Sequence, residues 1–264
     1  PISMGDIGGF RHEDLTKAPQ MITNPYIGTS TDIDYAEMNP NLIVRVGNAE
    51  GTAPRMGVSM DNGKTWTPAA NAWPSAEGDK TEGGWVAVGA DGSRIVWSPK
   101  SSSSESVRPV SYTKDRGVTW HASQGIPEGA IISSDRVNPS KFYGIANGKF
   151  YISNDGGATF TASQATGLPQ TLTSKFKAVP GAEGEIWIAA AKDNSNTQSA
   201  YGLWHSTDSG KSFVKLEGIQ EAATIGFGKA APGQNVMALY SYAKINNKYG
   251  VYRSDNGRSE ERRV

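Results

Sequence analysis

Near its start the chain gathers a carboxylate, two adjacent glycines, an aromatic ring and an imidazole: Ser3-Met4-Gly5-Asp6-Ile7-Gly8-Gly9-Phe10-Arg11-His12-Glu13-Asp14-Leu15. Asp6 is a candidate for acid–base chemistry, because a carboxyl group held against a reacting oxygen can give or take its proton. Gly8 and Gly9 let the backbone come close to a ligand. Phe10 offers a flat face on which a sugar can stack, and His12 can hydrogen-bond a sugar or position Asp6. A purely structural reading stands beside this one, since Asp-Ile-Gly-Gly also makes an ordinary turn.

Two tryptophans add candidate stacking surface. Trp73 lies in the Pro/Ala-rich stretch AANAWPSAEG, and Trp97, like Trp85, lies in a strand-like run. For the strand tryptophans, packing inside a sheet competes with lining a cleft. His121 and His205 flank repeated motifs and are assigned to structure. Asp32 and Asp34 are assigned to strand-end capping before catalysis. Three scattered His and no Cys give no metal-ligand spacing, so neither a metal nor a cofactor is expected.

Most of the chain consists of the elements that must position these groups. The pattern Ser/Thr-x-Asp-x-Gly-x-Thr/Ser-Trp/Phe, an Asp-box, occurs at Ser59–Trp66, Thr113–Trp120, Ser153–Phe160 and Ser206–Phe213, and a fifth copy opens at Ser254 and breaks off. The four Asp residues stand at 61, 115, 155 and 208, spacings of 54, 40 and 53 residues. A period of about 50 residues marks a propeller or a similar array. Before each motif come two apolar runs divided by an Asn/Pro/Asp/Gly turn, such as GGWVAVGADG then RIVWSP. These runs are short, rich in β-branched and aromatic residues, and read as strands. No segment of helical length keeps a 3.6-residue apolar period. The fold class is therefore all-β, a β-propeller with four short antiparallel strands per blade.

The motif itself has a structural rationale. Its Asp accepts hydrogen bonds from the N–H groups of its own turn, Gly supplies a positive φ, and the aromatic buries a large apolar surface. These carboxylates are read as fold-forming, not catalytic.

Lys+Arg and Asp+Glu both number 26, so no global field draws nucleic acid or an anionic membrane, and neither is expected as a partner. No run of 18 apolar residues suggests a transmembrane helix. Residues 1–31 are read as a leading segment carrying the candidate acid, and 32–257 as the repeat array. Residues 258–264 (Arg258 to Val264) abandon the repeat and are read as a non-native tail, a charged solvated tail being the alternative. The chain begins at Pro1 without Met, and its start reads as internal to a longer protein.

GDIGGFRHEDL, the five repeated turns, and phrases such as ADGSRIVWSP and NPNLIVRVG resemble the second half of a glycoside hydrolase family 74 xyloglucanase. The resemblance covers roughly residues 1–257. It implies two seven-bladed propellers facing each other across a cleft, of which this chain would hold about five blades of the second. It also implies that Asp6 is the general acid and that the general base sits in an N-terminal propeller absent here. The activity implied is endo-acting, inverting hydrolysis of the β-1,4-glucan backbone of xyloglucan or a related β-glucan. Two carboxyls roughly 6.5–9.5 Å apart would act on either side of the bond, and Asp6 would have to stay protonated above the usual carboxylate range. Phe10, His12, Trp73 and Trp97 are the candidate substrate contacts, the repeated turns lie on a rim away from the substrate surface, and secretion is expected.

The repeated turns alone are less specific, being shared with sialidases, sortilins and photosystem assembly factors. A sialidase-like hydrolase would need an arginine cluster and a Tyr nucleophile with an acidic helper. A non-catalytic propeller that binds protein or glycan would not need the Gly-Asp-Ile-Gly-Gly-Phe element at all.

Overall fold

The structure is a computed structural model and describes residues 8–49, 51, 53–69, 81–101, 108–172, 174–192 and 200–256, with the backbone of Arg262–Arg263. Among these residues the apolar runs become strands and none becomes a helix. The first sheet follows chain order: β1 (Thr29–Ala36), β2 (Asn39–Asn48), β3 (Met56–Ser59) and β4 (Thr67–Pro68), each antiparallel to the next. The second repeats it with β5 (Thr81–Val88), β6 (Ile95–Ser101), β7 (Ser111–Thr113) and β8 (His121–Ala122). The third contains β9 (Ile131–Ser134), β10 (Phe142–Ala146), β11 (Lys149–Ser153) and β12 (Thr161–Ala162). The fourth contains β13 (Lys177–Ala178), β14 (Ile186–Ala190), β15 (Gly202–Ser206) and β16 (Val214–Lys215).

The fifth sheet differs from the expectation of a single first strand. Both β17 (Ile219–Ala222) and β18 (Gly226–Gly228) pair with β19 (Ala238–Ile245), followed by β20 (Lys248–Ser254) and β21 (Arg262–Arg263). β18 lies in the apolar run TIGFGKAAPG (Thr224–Gly233), whereas β17 precedes it. Each sheet is a propeller-type blade, and the fold is an all-β propeller of antiparallel blades.

The chain divides into two compact units, residues 1–144 with 152–161, and residues 145–151 with 162–264. In the first unit, blades one and two are joined by carboxylates. Asp32 and Asp34 do not cap strand ends; they lie within β1, two residues apart and so on the same face. Asp32 Oδ2 accepts the Val86 N–H at 2.9 Å, and Asp34 Oδ2 accepts the Val88 N–H at 2.8 Å, both on β5. Arg136, just beyond β9, donates through Nη2 to the other oxygen of Asp34 at 2.5 Å. Burial disfavours the Arg136 cation, but the adjacent Asp34 carboxylate outweighs it and raises the Arg136 pKa. Around these contacts Leu42, Val44, Val46, Met56, Val86, Val88, Ile95 and Trp97 form one apolar core.

The second unit uses the same device. Glu221 on β17, almost fully buried, accepts the Lys192 N–H at 3.0 Å through Oε2. Leu203, Ile219, Leu239, Ala243 and Tyr252 pack beside it in a second core.

All four complete repeated turns share one hydrogen-bond pattern. The leading hydroxyl of Ser59, Thr113, Ser153 or Ser206 donates to its Asp Oδ1 at 2.7–2.8 Å. The hydroxyl oxygen of that Ser or Thr in turn accepts the Gly N–H at 2.8–3.0 Å. The Thr or Ser four residues after the Asp returns its hydroxyl to Oδ2 at 2.6 Å. In the fifth copy Asn256 takes the Asp position and accepts from Ser254 at 3.2 Å. The motif glycines also permit close packing. A Cβ on Gly157 would lie 2.3 Å from Val96, and one on Gly210 would lie 2.2 Å from Phe150. Phe213 then meets Phe150 edge to face at 5.0 Å between ring centroids.

Two outcomes follow for stability. Removing the Asp34 carboxylate leaves a buried cation and an unsatisfied N–H, so Asp34→Ala should cost about 3–5 kcal/mol in urea unfolding; a loss under about 1 kcal/mol would refute the stitch. The Thr65 and Thr119 hydroxyls, followed by their backbone N–H groups, hold Asp61 and Asp115 down at about 2. A pKa lowered on folding stabilises above the unfolded value of about 3.9, and that contribution is lost as pH falls toward 2. Calorimetric melting temperature should therefore drop between pH 4 and pH 2, and Asp115→Asn should flatten that drop.

Candidate functional site

The described part of the leading segment forms a strap across one face of blade one. Its two arms run antiparallel: Phe10 bridges Met21, and the Ile22 N–H donates to the Gly9 carbonyl at 2.9 Å. The glycines are required here for reasons that need no ligand. A Cβ on Gly8 would lie 1.9 Å from the Ile22 carbonyl oxygen, and Gly9 has φ +87°.

Arg45 holds both arms. It lies within β2, is 2 % exposed, and breaks the otherwise apolar run Leu42–Val46. Its Nη1 donates to the Gly8 carbonyl on one arm, and its Nη2 donates to the Pro25 carbonyl on the other at 2.6 Å. The guanidinium lies over the Trp66 ring at 4.8 Å, a cation–π contact. Burial pulls the Arg45 pKa down to about 10, so it remains a cation at neutral pH. Beside the second arm, Asn24, Pro25, Tyr26, Ala53, Pro54 and Pro68 line an open hollow of about 280 Å³.

Of the candidate site residues, Asp6 and Trp73 lie outside the described residues. Phe10 is half-buried and His12 exposed, with ring centroids 6.5 Å apart, so these two are brought together. Arg11 between them donates through Nε to the Asn62 carbonyl at 2.7 Å. Asn62 belongs to the repeated turn between β3 and β4. The Phe10–His12 corner is thereby drawn toward that end of blade one, while β1 starts at the opposite end.

Trp97 requires correction as a substrate contact. It is 0 % exposed, donates its indole N–H to the Gly83 carbonyl at 2.5 Å, and packs on Trp120 at 5.7 Å. No face of it is open to a sugar. Trp85, from the same pair of strands, is partly exposed, with Lys100 Nζ 5.3 Å from its ring. His121 packs tilted against Tyr112, and His205 lies flat on Trp187 at 3.9 Å with Glu185 at 2.9 Å from its Nε2.

The other acids of the leading segment are committed. Glu13 is held below the usual carboxylate range by its hydrogen bond to Arg11 and by that cation's charge. Asp14 is held low by the Thr16 hydroxyl and N–H. Both are carboxylates at neutral pH and unsuited to donating a proton. Among the described residues no group of His, Asp or Glu is arranged to hold a metal ion. Sequence reasoning missed Arg45, although one basic residue inside NLIVRVG was a visible signal.

No protein-family profile matches the chain. A xyloglucanase from a Paenibacillus species is 46 % identical over 259 residues, which covers 96 % of this chain and 24 % of that protein. Xyloglucanase Xgh74A of Acetivibrio thermocellus is 42 % identical over 255 residues, covering 96 % of this chain and 28 % of its own length. The crystal structure of the GH74 xyloglucanase from Xanthomonas campestris superposes with a TM-score of 0.83 at 28 % identity, over 99 % of this chain and 36 % of that one. The chain thus spans about a quarter to a third of the relatives it matches. By sequence and by fold, it is similar to a stretch of the glycoside hydrolase family 74 xyloglucanases.

Proposed function

We propose that this chain is part of an endo-acting, inverting xyloglucan hydrolase, with Asp6 as the general acid and the general base on a separate N-terminal propeller. The observation that carries the reading is 46 % identity to a curated xyloglucanase sustained across 96 % of the chain. In the proposed reaction Asp6 protonates the leaving glycosidic oxygen while the opposing carboxylate activates water. Substrate, second propeller and an extracellular site of action belong to the same proposal.

A sialidase-type site would need guanidinium groups free to converge on a substrate carboxylate. Arg11, Arg45, Arg55 and Arg136 instead bind groups of their own chain. That weighs against the sialidase reading.

Holding the acid without the base, the chain alone should release no new reducing ends from tamarind xyloglucan. In the full-length hydrolase, Asp6→Asn keeps the shape and removes the proton. Turnover on xyloglucan should fall by roughly 10²–10⁴-fold, and much less on an aryl glycoside whose leaving group needs little protonation. Equal slowing of both substrates would assign Asp6 to positioning or folding; an unchanged rate on the polymer would remove it from the site.

A further inference from the structure

Arg45 is an unusual residue to find inside a blade. A guanidinium at 2 % exposure has given up its hydration, and no salt bridge to it is made among the described residues. Among the described residues, its compensation is two backbone carbonyls and the face of Trp66, and its Nε finds no hydrogen-bond partner there. A cation buried on these terms is costly unless its geometry is well satisfied. The two carbonyls belong to Gly8 and Pro25, 37 and 20 residues away along the chain, and stand on opposite arms of the strap. One side chain therefore closes the neck of an 18-residue loop.

The surroundings fit a clamp. Gly8 lets the first arm lie against the Ile22 carbonyl, which no side chain would allow. Gly57 on β3 lets Pro25 come close on the other arm, where an added Cβ would lie 3.1 Å from Pro25 Cγ. Trp66, 7 % exposed, closes the first repeated turn and carries the guanidinium on its face. The planar fork of Arg reaches two acceptors at once, which the single ammonium of Lys cannot match.

We propose that Arg45, seated on Trp66, is a positioning residue for the proton-donating segment: by fixing the Gly8 carbonyl it sets where the backbone two residues after Asp6 lies. The proposal rests on the reading of Asp6 as general acid. Arg45 touches no substrate and acts only through the strap. Misplacement of a catalytic group by about 1 Å can cost 10²-fold in rate, which is the scale on which losing one anchor should be felt.

The test uses Arg45→Met and Arg45→Lys in the full-length hydrolase. Met removes the buried charge while keeping bulk, and the far-ultraviolet circular dichroism should stay that of the parent. Amide exchange at Ile22, whose N–H is bound by Gly9, should accelerate while exchange in β5 does not. For Arg45→Met, kcat on xyloglucan should fall by roughly 10–100-fold with KM nearly unchanged, and the aryl glycoside rate should fall less. Arg45→Lys should recover part of the kcat. Gly8→Ala is a second route to the same state, since it forces the arms apart with Arg45 intact, and it should reproduce the kcat loss.

Full activity in Arg45→Met with Ile22 exchange accelerated would overturn the positioning role. Unchanged exchange at Ile22 would overturn the clamp. If Arg45→Met fails to fold, Gly8→Ala decides: a folded variant with parental kcat overturns the proposal. Failure of the Asp6 reading is detected separately, because Asp6→Asn would then retain activity while the exchange result at Ile22 still stood.

Discussion

Among the described residues, strand pairing between neighbouring blades is limited to the isolated parallel bridge of Gln124 with Thr159, so side chains must do most of the joining. In the first unit the answer is a pair of carboxylates on β1, Asp32 and Asp34, that accept N–H groups of β5 at 2.9 and 2.8 Å. Bonds from an N–H to an ionised acceptor are stronger than neutral ones, and more so where water is excluded. Asp34 does more than its neighbour because its second oxygen takes Arg136, bringing the third blade onto the same carboxylate. The apolar core from Leu42 to Trp97 packs around geometry that these contacts set. Glu221 shows the same solution in the second unit, with a backbone N–H again as donor.

The repeated turns divide the labour differently. Their carboxylates are satisfied locally, by groups within four residues, and the turns then present glycines that neighbouring side chains approach to about 2.3 Å of where a Cβ would sit. The motif is both a closed hydrogen-bonded unit and a smooth surface for packing. Its acids are held so far toward ionisation that they have no proton to give at neutral pH.

Arg45 and the strap extend the same logic of buried charge meeting backbone. The Asp stitches use anions to accept N–H groups, whereas Arg45 uses a cation to donate to carbonyls on two arms of a loop. In both cases the charge is tolerated because main-chain dipoles surround it. A loop held in this way has its neck fixed while its far corner, from Arg11 to Lys17, is free to settle against the repeated turn of blade one through Asn62.

What the sequence determined by itself was local or repetitive. The turns, their glycines and the strand runs were readable because their hydrogen bonds close within a few residues and recur. The family resemblance was readable because GDIGGF and the blades stand in one order. Other features were decided only by the tertiary structure. Asp32 and Asp34 looked like strand-end caps because their donors lie 54 residues away. Trp97 kept two readings because Ile95–Pro99 is buried on both faces, leaving no alternation to say which side of the strand meets solvent. The place of the Phe10–His12 corner was equally invisible, because the Arg11–Asn62 bond that holds it spans 51 residues. Arg45 was visible as a charge in an apolar run, but its task depended on Gly8 and Pro25, which only folding brings to one guanidinium. Chemistry that closes within a turn is written in the sequence; contacts between segments tens of residues apart exist only once the blades have packed.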